Sequence, residues 1–249
     1  MQVYDNPKYY ELAFSFRDIP KETDFIEEVI SKESKIPVNT FLEIASGNSP
    51  HMKELCKRGY DYVGLELNEM MIEYARDIVK KSALSAEIVK GDMIKFSLPK
   101  VVDCVLLFLG SFYINSDEEL RDHLDSVASV VRKGGLYILD AAVSFYAGDV
   151  RTQTWEMTEG KTKVTTMYDM KWKDEKKGLS EAKITLDVDD GGRMMKMEHI
   201  EKRKIYSADE FIKRASDTGK WEYVGSFSDF DMNKKPYESG RNIIVLRRT

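Results

Sequence analysis

The stretch Phe41-Leu-Glu-Ile-Ala-Ser-Gly-Asn-Ser-Pro-His51, read together with Glu66 one helix later, constrains this chain most. An apolar run from Val38 to Ile44 enters a turn of small residues. A helix follows, then a second apolar run, Tyr62-Val-Gly-Leu-Glu66, that ends in an acid. This is the opening βαβ unit of a nucleotide-binding parallel sheet, where an acid about 20 residues past the turn is placed to accept from ribose hydroxyls. A dinucleotide site wants G-x-G-x-x-G, so that backbone N–H groups and a helix N-terminus cradle a pyrophosphate. Here the three positions are Ala45, Gly47 and Pro50, and proline has no N–H to offer, although it suits the first turn of a helix. The turn therefore predicts a ligand with a ribose and no phosphate.

The 249 residues suit one α/β domain with an elaboration and can bury a sizeable core. No apolar run approaches the ~20 residues of a membrane span, and Met-Gln-Val-Tyr-Asp-Asn-Pro at the start has no basic-then-apolar signal pattern. A net charge of -5 argues against duty on bulk nucleic acid, where basic patches supply most of the affinity. Cys56 and Cys104 fall in a helix and a buried strand by pattern, so they read as reduced small hydrophobes in a cytoplasmic protein. Three histidines without close Cys or His partners give no metal-site spacing.

An amphipathic N-terminal region, Tyr9 to Ser34, precedes strand 38–44. Helix 50–58, strand 60–66, helix 68–81, strands 86–90 and 101–108, helix 117–132 and strand 135–140 follow. The strands are near-continuous apolar runs, as parallel strands covered on both faces are. Asn68 reads as an N-cap, Ser116 with Glu119 as a capping box, and Gly134-Gly135 as the close of a helix. From Ser144 the pattern changes. Thr152–Thr158, Lys161–Lys171, Glu181–Asp189 and Arg193–Ile205 read as antiparallel strands separated by turn signals. A helix capped by Ser207 with Glu210 and two last strands, Trp221–Phe230 and Asn242–Arg247, complete the chain. The expected architecture is an α/β sheet of seven strands, interrupted after its fifth by a β-layer. That layer covers the carboxyl ends of the strands, where open sheets bind ligands.

Five ordered pieces, Tyr10-Glu-Leu12, Leu42 to His51, Gly64-Leu-Glu-Leu-Asn-Glu-Met-Met71, Gly91-Asp-Met93 and Arg132 to Leu139, carry a resemblance. Together they resemble the class I S-adenosylmethionine (SAM)-dependent methyltransferases, most of all the branch of amino-sugar N,N-dimethyltransferases and glycine N-methyltransferases. SAM carries a ribose and no phosphate. The resemblance implies a Rossmann-like methyltransferase sheet with an inserted antiparallel β lid. It divides the chain into a helical cap over the cofactor (1–37), a SAM-binding core (38–143 and 203–249) and a substrate lid (144–202). It implies that Glu43 accepts from the methionine amino group, and that Ala45 and Gly47 let the backbone approach the cofactor. Glu66 would take both ribose hydroxyls, Asp92 the adenine amine, with Leu67 and Met93 packing on the ring and Phe108 beside the sulfonium. Tyr10 and Arg17 would close over the methionine end, Arg17 pairing with its carboxylate. Tyr10 and Tyr113 are the candidate catalytic residues, Tyr113 because this segment touches the acceptor. His51 reads as a helix-start residue rather than a base. Trp155, Tyr168 and Trp172 read as packing of the lid, with some facing the substrate. Ser49 departs from the pattern, standing where the family often has its third glycine.

Methyl transfer from a sulfonium needs a nucleophile held in line, and alignment can supply ~7–11 kcal/mol of the acceleration. An alcohol acceptor would want a positioned base, and no residue here must be one, which favours a nitrogen acceptor on a small molecule. Asn/Asp-Pro-Pro-Tyr, used on planar base amines, is absent, as strand four ends Leu107-Phe-Leu-Gly110. Two other readings stay open: a non-catalytic SAM-binding or interaction protein, and a nicotinamide-dependent oxidoreductase, which Pro50 disfavours. No metal, nucleic-acid or membrane partner is expected, and an exposed edge of the inserted sheet could pair with a second copy to make a homodimer.

Overall fold

The computed structural model describes residues 2–146, 152–238 and 240–249. Two N-terminal helices, α1 (Pro7–Ala13) and α2 (Ile19–Glu33), lead into β1 (Thr40–Ile44), α3 (Met52–Lys57), β2 (Asp61–Glu66) and α4 (Glu69–Ser82). Next come β3 (Ala86–Lys90), β4 (Val102–Leu107), α5 (Asp117–Val130) and β5 (Val131–Asp140). Four long strands follow, β6 (Thr152–Glu159), β7 (Thr162–Asp174), β8 (Leu179–Asp190) and β9 (Arg193–Lys204). The chain ends with α6 (Ala208–Asp217), β10 (Trp221–Ser228) and β11 (Asn242–Arg248).

The first sheet has seven strands in the order β10-β11-β5-β4-β1-β2-β3. Strands β1 to β5 run parallel, and β11 turns back antiparallel on β5. Its two faces are both covered. Leu42, Ile44 and Val63 pack with Leu124 of α5 and Phe211 of α6, whereas Phe41 and Tyr62 pack with Ile26 of α2 and Ile72 of α4. Successive β1 residues thus serve opposite layers, which is why the strand has no polar face to show in sequence. The strand order reverses direction at β1 and β4, so the crevice beyond their carboxyl ends is the expected ligand position.

The second sheet, β6-β7-β8-β9, is the inserted layer. It buries Val164, Ile184, Leu186 and Met197 against Leu12 and Ala13 of α1, and the Trp155 indole donates to the Ala13 carbonyl at 2.6 Å. The first residues of the expected lid include 147–151, which lie outside the described residues.

Helix caps form as the sequence predicts: Asn68 accepts from the Met71 N–H, Ser116 from Glu119 and Ser207 from Glu210. Two details differ. The N-terminal region is broken in two, because Asp18 caps a fresh helix by accepting from Lys21 while Pro20 occupies its first turn. Gly134 and Gly135 do not close α5. The helix ends at Val130, Val131 pairs directly with Val102, and the glycines lie within β5. Gly135 is needed there because a side chain would collide with the Asp103 carbonyl.

Candidate functional site

The loop after β1 turns three times through left-handed backbone, at Ala45 (φ 51°), Gly47 (φ 53°) and Ser49 (φ 54°). Alanine and serine pay for that conformation where glycine would not, at roughly 1–2 kcal/mol each. The loop is held by β2: the Ser46 N–H donates to the Leu65 carbonyl at 3.1 Å. Glu66, at the end of β2, accepts from the Gly47, Leu67 and Asn68 N–H groups at 2.7, 2.9 and 2.8 Å. Its carboxylate is therefore fixed beside the loop.

Six of the sequence-predicted residues, Tyr10, Arg17, Glu43, Ala45, Gly47 and Phe108, line one cavity of about 230 Å³. Glu66 reaches its rim through Gly47. Leu67, Asp92 and Met93 lie outside the lining. Leu67 is 60% exposed, an apolar side chain open to a ligand at the end of β2, and Asp92 is spent in part on the Ile94 N–H.

A buried charge network underlies this cavity, and sequence reading missed it. Both Glu43 oxygens are engaged, one by His51 Nδ1 at 2.7 Å and one by the Tyr62 hydroxyl at 2.6 Å. His51 Nε2 lies 3.0 Å from Glu22, which also accepts from Arg17 at 2.5 Å and Arg241 at 2.7 Å. Arg241 continues to Asp140 at 2.5 Å, and Asp140 accepts from the Leu109 N–H at 2.9 Å. Burial alone would lower the His51 pKa, but Glu43 and Glu22 outweigh it and raise it. Burial would likewise raise the Glu22 carboxyl, yet His51, Arg17 and Arg241 hold it well below the usual range. His51 stands at the N-cap position of α3, as its place in the sequence suggests, and its ring is fully buried between the Glu43 and Glu22 carboxylates. Arg17 is committed to Glu22, so its wall of the cavity is already charge-balanced.

A second cavity, about 620 Å³, lies between the inserted sheet and the carboxyl ends of β4 and β5. It shares Tyr10, Phe14, Leu109 and Ser111 with the first, so the two adjoin across one wall. Tyr4, Tyr113, Trp155, Tyr168, Glu201 and Arg203 line it. The Tyr113 and Tyr4 hydroxyls are 3.3 Å apart, and Tyr4 donates to Glu201 at 2.5 Å. Burial pushes the hydroxyls of Tyr4, Tyr10 and Tyr113 above their ordinary pKa, so they stay protonated. Arg203 donates to the Gly110 carbonyl at 2.7 Å and the Tyr168 hydroxyl at 2.6 Å. Trp172 lines a larger open groove elsewhere instead. Glu201 and Arg203 escaped the sequence reading, although their spacing of two on a strand places them on one face.

From β1 to the paired glycines, residues 41–135 match a protein family described as a methyltransferase domain. Over 144 residues the chain is 28% identical to a dTDP-3-amino-3,4,6-trideoxy-alpha-D-glucopyranose N,N-dimethyltransferase of Streptomyces venezuelae, covering 56% of this chain and 58% of that enzyme. The chain thus spans little more than half the length of this curated relative. An S-adenosylmethionine-dependent methyltransferase structure from Clostridium acetobutylicum superposes with a TM-score of 0.79 at 18% identity, covering 96% of this chain and 95% of the other. A SAM-bound amino pentose methyltransferase from Micromonospora echinaspora gives 0.75 at 17% identity, covering 96% of each chain. At these identities the likeness is one of fold.

Proposed function

We propose that the chain transfers a methyl group from SAM to a nitrogen of a small-molecule amine. The carrying observation is the pair of adjoining cavities: one at the β1 loop, and one beneath the inserted sheet of a size that suits a sugar-sized molecule. The name of the Streptomyces relative, an amino-sugar N,N-dimethyltransferase, supports amino sugars as the acceptor class.

The residues fit such a cofactor. Gly47 leaves the loop open on the side of Tyr10, Glu66 presents a fixed carboxylate to ribose hydroxyls, and the exposed Leu67 offers an apolar face to adenine. Glu43 and Arg17 would line the methionine end, with Asp92 and Met93 beside the base and Phe108 near the sulfur. When bound, SAM supplies a methyl group on a positively charged sulfur, which an amine can displace in line. The shared wall of Tyr10, Phe14, Leu109 and Ser111 positions both reactants, and the lid excludes water. Tyr10 and Tyr113 act here as protonated hydroxyls that orient the acceptor. We also adopt the division into cap, core and lid, with the lid deciding which acceptor enters.

The test is transfer of a labelled methyl group from SAM to a panel of amino sugars, amino acids and their hydroxyl counterparts. Incorporation into amines with none into the hydroxyl compounds is expected, and label on the hydroxyl compounds alone would overturn the nitrogen reading. We place the protein in the cytoplasm without a nucleic-acid partner, in line with its net charge of -5. Among the described residues, no helix is long and apolar enough to cross a membrane. Strand β6 is an edge of the inserted sheet, and a homodimer would pair through it. A monomer mass by light scattering at micromolar concentration would exclude that dimer.

A further inference from the structure

An aliphatic amine is a cation at neutral pH, and here it must meet a second cation, the sulfonium, in a cavity shielded from bulk water. Such a meeting needs an anion close by. Most buried acids around the two cavities are already matched. Glu22 has Arg17, Arg241 and His51, Glu43 has His51, and Asp140 has Arg241. Glu201 is different. Its side chain is 9% exposed, and its ion-pair neighbour among the described residues is His199 Nε2 at 3.7 Å. No lysine or arginine of the described residues comes within ion-pair reach of it. Arg203, two residues along β9, turns its guanidinium to Gly110 and Tyr168.

The groups facing Glu201 come from every element around it. Tyr4 of the N-terminal segment donates to it, Tyr113 of the β4–α5 loop stands behind Tyr4, and Tyr10 of α1 feels its charge from the shared wall. Tyr168 of β7, His199 and Arg203 of β9, and Arg241 before β11 complete the surround. The only acid among these groups is Glu201 itself. The tyrosines, kept protonated by burial, can relay a proton but not hold a negative charge.

We propose that Glu201 is the residue that receives the acceptor's amino group: its carboxylate draws the ammonium into the lid cavity and takes the proton that nitrogen must lose before it can attack. This inference rests on the amine-methyltransferase reading. The ammonium gives one proton to Glu201, directly or across the Tyr4 hydroxyl. The freed lone pair bonds to the methyl carbon while the C–S bond breaks and its electron pair returns to sulfur. The product leaves as a methylated ammonium, and the proton passes from Glu201 to water. Selection then follows from charge. A basic amine is drawn to the site, and a neutral alcohol of the same shape is not.

The test needs no knowledge of the acceptor. Sinefungin is a SAM analogue in which an amine-bearing carbon stands where SAM has its methyl-bearing sulfur, so its ammonium points at the acceptor cavity. The comparison ligand is S-adenosylhomocysteine, which has no group there. Calorimetric titration of the full chain is expected to show sinefungin binding about tenfold or more tightly than S-adenosylhomocysteine. Glu201→Gln should erase that preference while leaving S-adenosylhomocysteine affinity within about twofold, and Glu201→Asp should retain part of it. A preference that survives Glu201→Gln, or that is absent from the wild type, overturns the role of Glu201. Failure of the wild type to bind either ligand overturns the cofactor reading on which the proposal rests, and the two failures are told apart by the S-adenosylhomocysteine titration.

Discussion

Replacing His51 with leucine is expected to lower the unfolding free energy by about 3–5 kcal/mol, the usual cost of removing one partner from a buried ion cluster. The His51 side chain is fully buried between Glu43 at 2.7 Å and Glu22 at 3.0 Å. Leucine fills a similar volume, so the loss is electrostatic. Glu43 would keep only the Tyr62 hydroxyl, and Glu22 would still face two arginines. Urea unfolding measures the difference, and a loss below about 1 kcal/mol would show that the cluster is not paired as described.

The same cluster fixes a pH dependence. His51 has a raised pKa in the folded protein. Its contribution is therefore complete below about 6.5, the unfolded value, and is lost as pH rises through the higher folded value. Glu22 has a lowered pKa, so its contribution is complete above about 4.5 and is lost as pH falls toward its folded value. Wild-type stability should decline as pH climbs past about 6.5, and the His51→Leu variant should lack that decline.

Much of the core was legible because its signals are local. The β1 turn, Glu66 and the cap at Asn68 all belong to one βαβ unit, where spacing of a few residues dictates geometry. The inserted sheet was equally readable, since Asp190-Gly191-Gly192 and the turn near Gly178 separate alternating strands. The charge network was not. Glu22 and Arg241 are 219 positions apart, and Tyr4 and Glu201 are 197 apart. Nothing in the neighbourhood of any of these four residues distinguishes it from a solvated charge or a packed ring. His51 does start a helix, but its carboxylate partners come from α2 and β1, so nothing beside it in the sequence shows its burial. The Gly134-Gly135 pair misled because glycine marks helix ends and close strand approaches alike.

Glu66→Ala carries the second large effect. The carboxylate holds three backbone N–H groups and fixes the Gly47 turn against β2. In the proposed complex it also accepts from ribose hydroxyls. Losing charge-assisted hydrogen bonds of about 1.5–3 kcal/mol each should weaken SAM binding at least about tenfold. Because Glu66 lies at the open end of β2, half-buried rather than in the core, the variant should remain folded.

Calorimetric titration of the wild type and of Glu66→Ala with SAM, with NADH as the control ligand, tests the central claim most directly. Micromolar SAM binding by the wild type, at least about tenfold weaker in the variant and with no heat from NADH, is the expected result. No SAM binding, or equal binding by the two proteins, would contradict the assignment of this loop and its acid as the cofactor site.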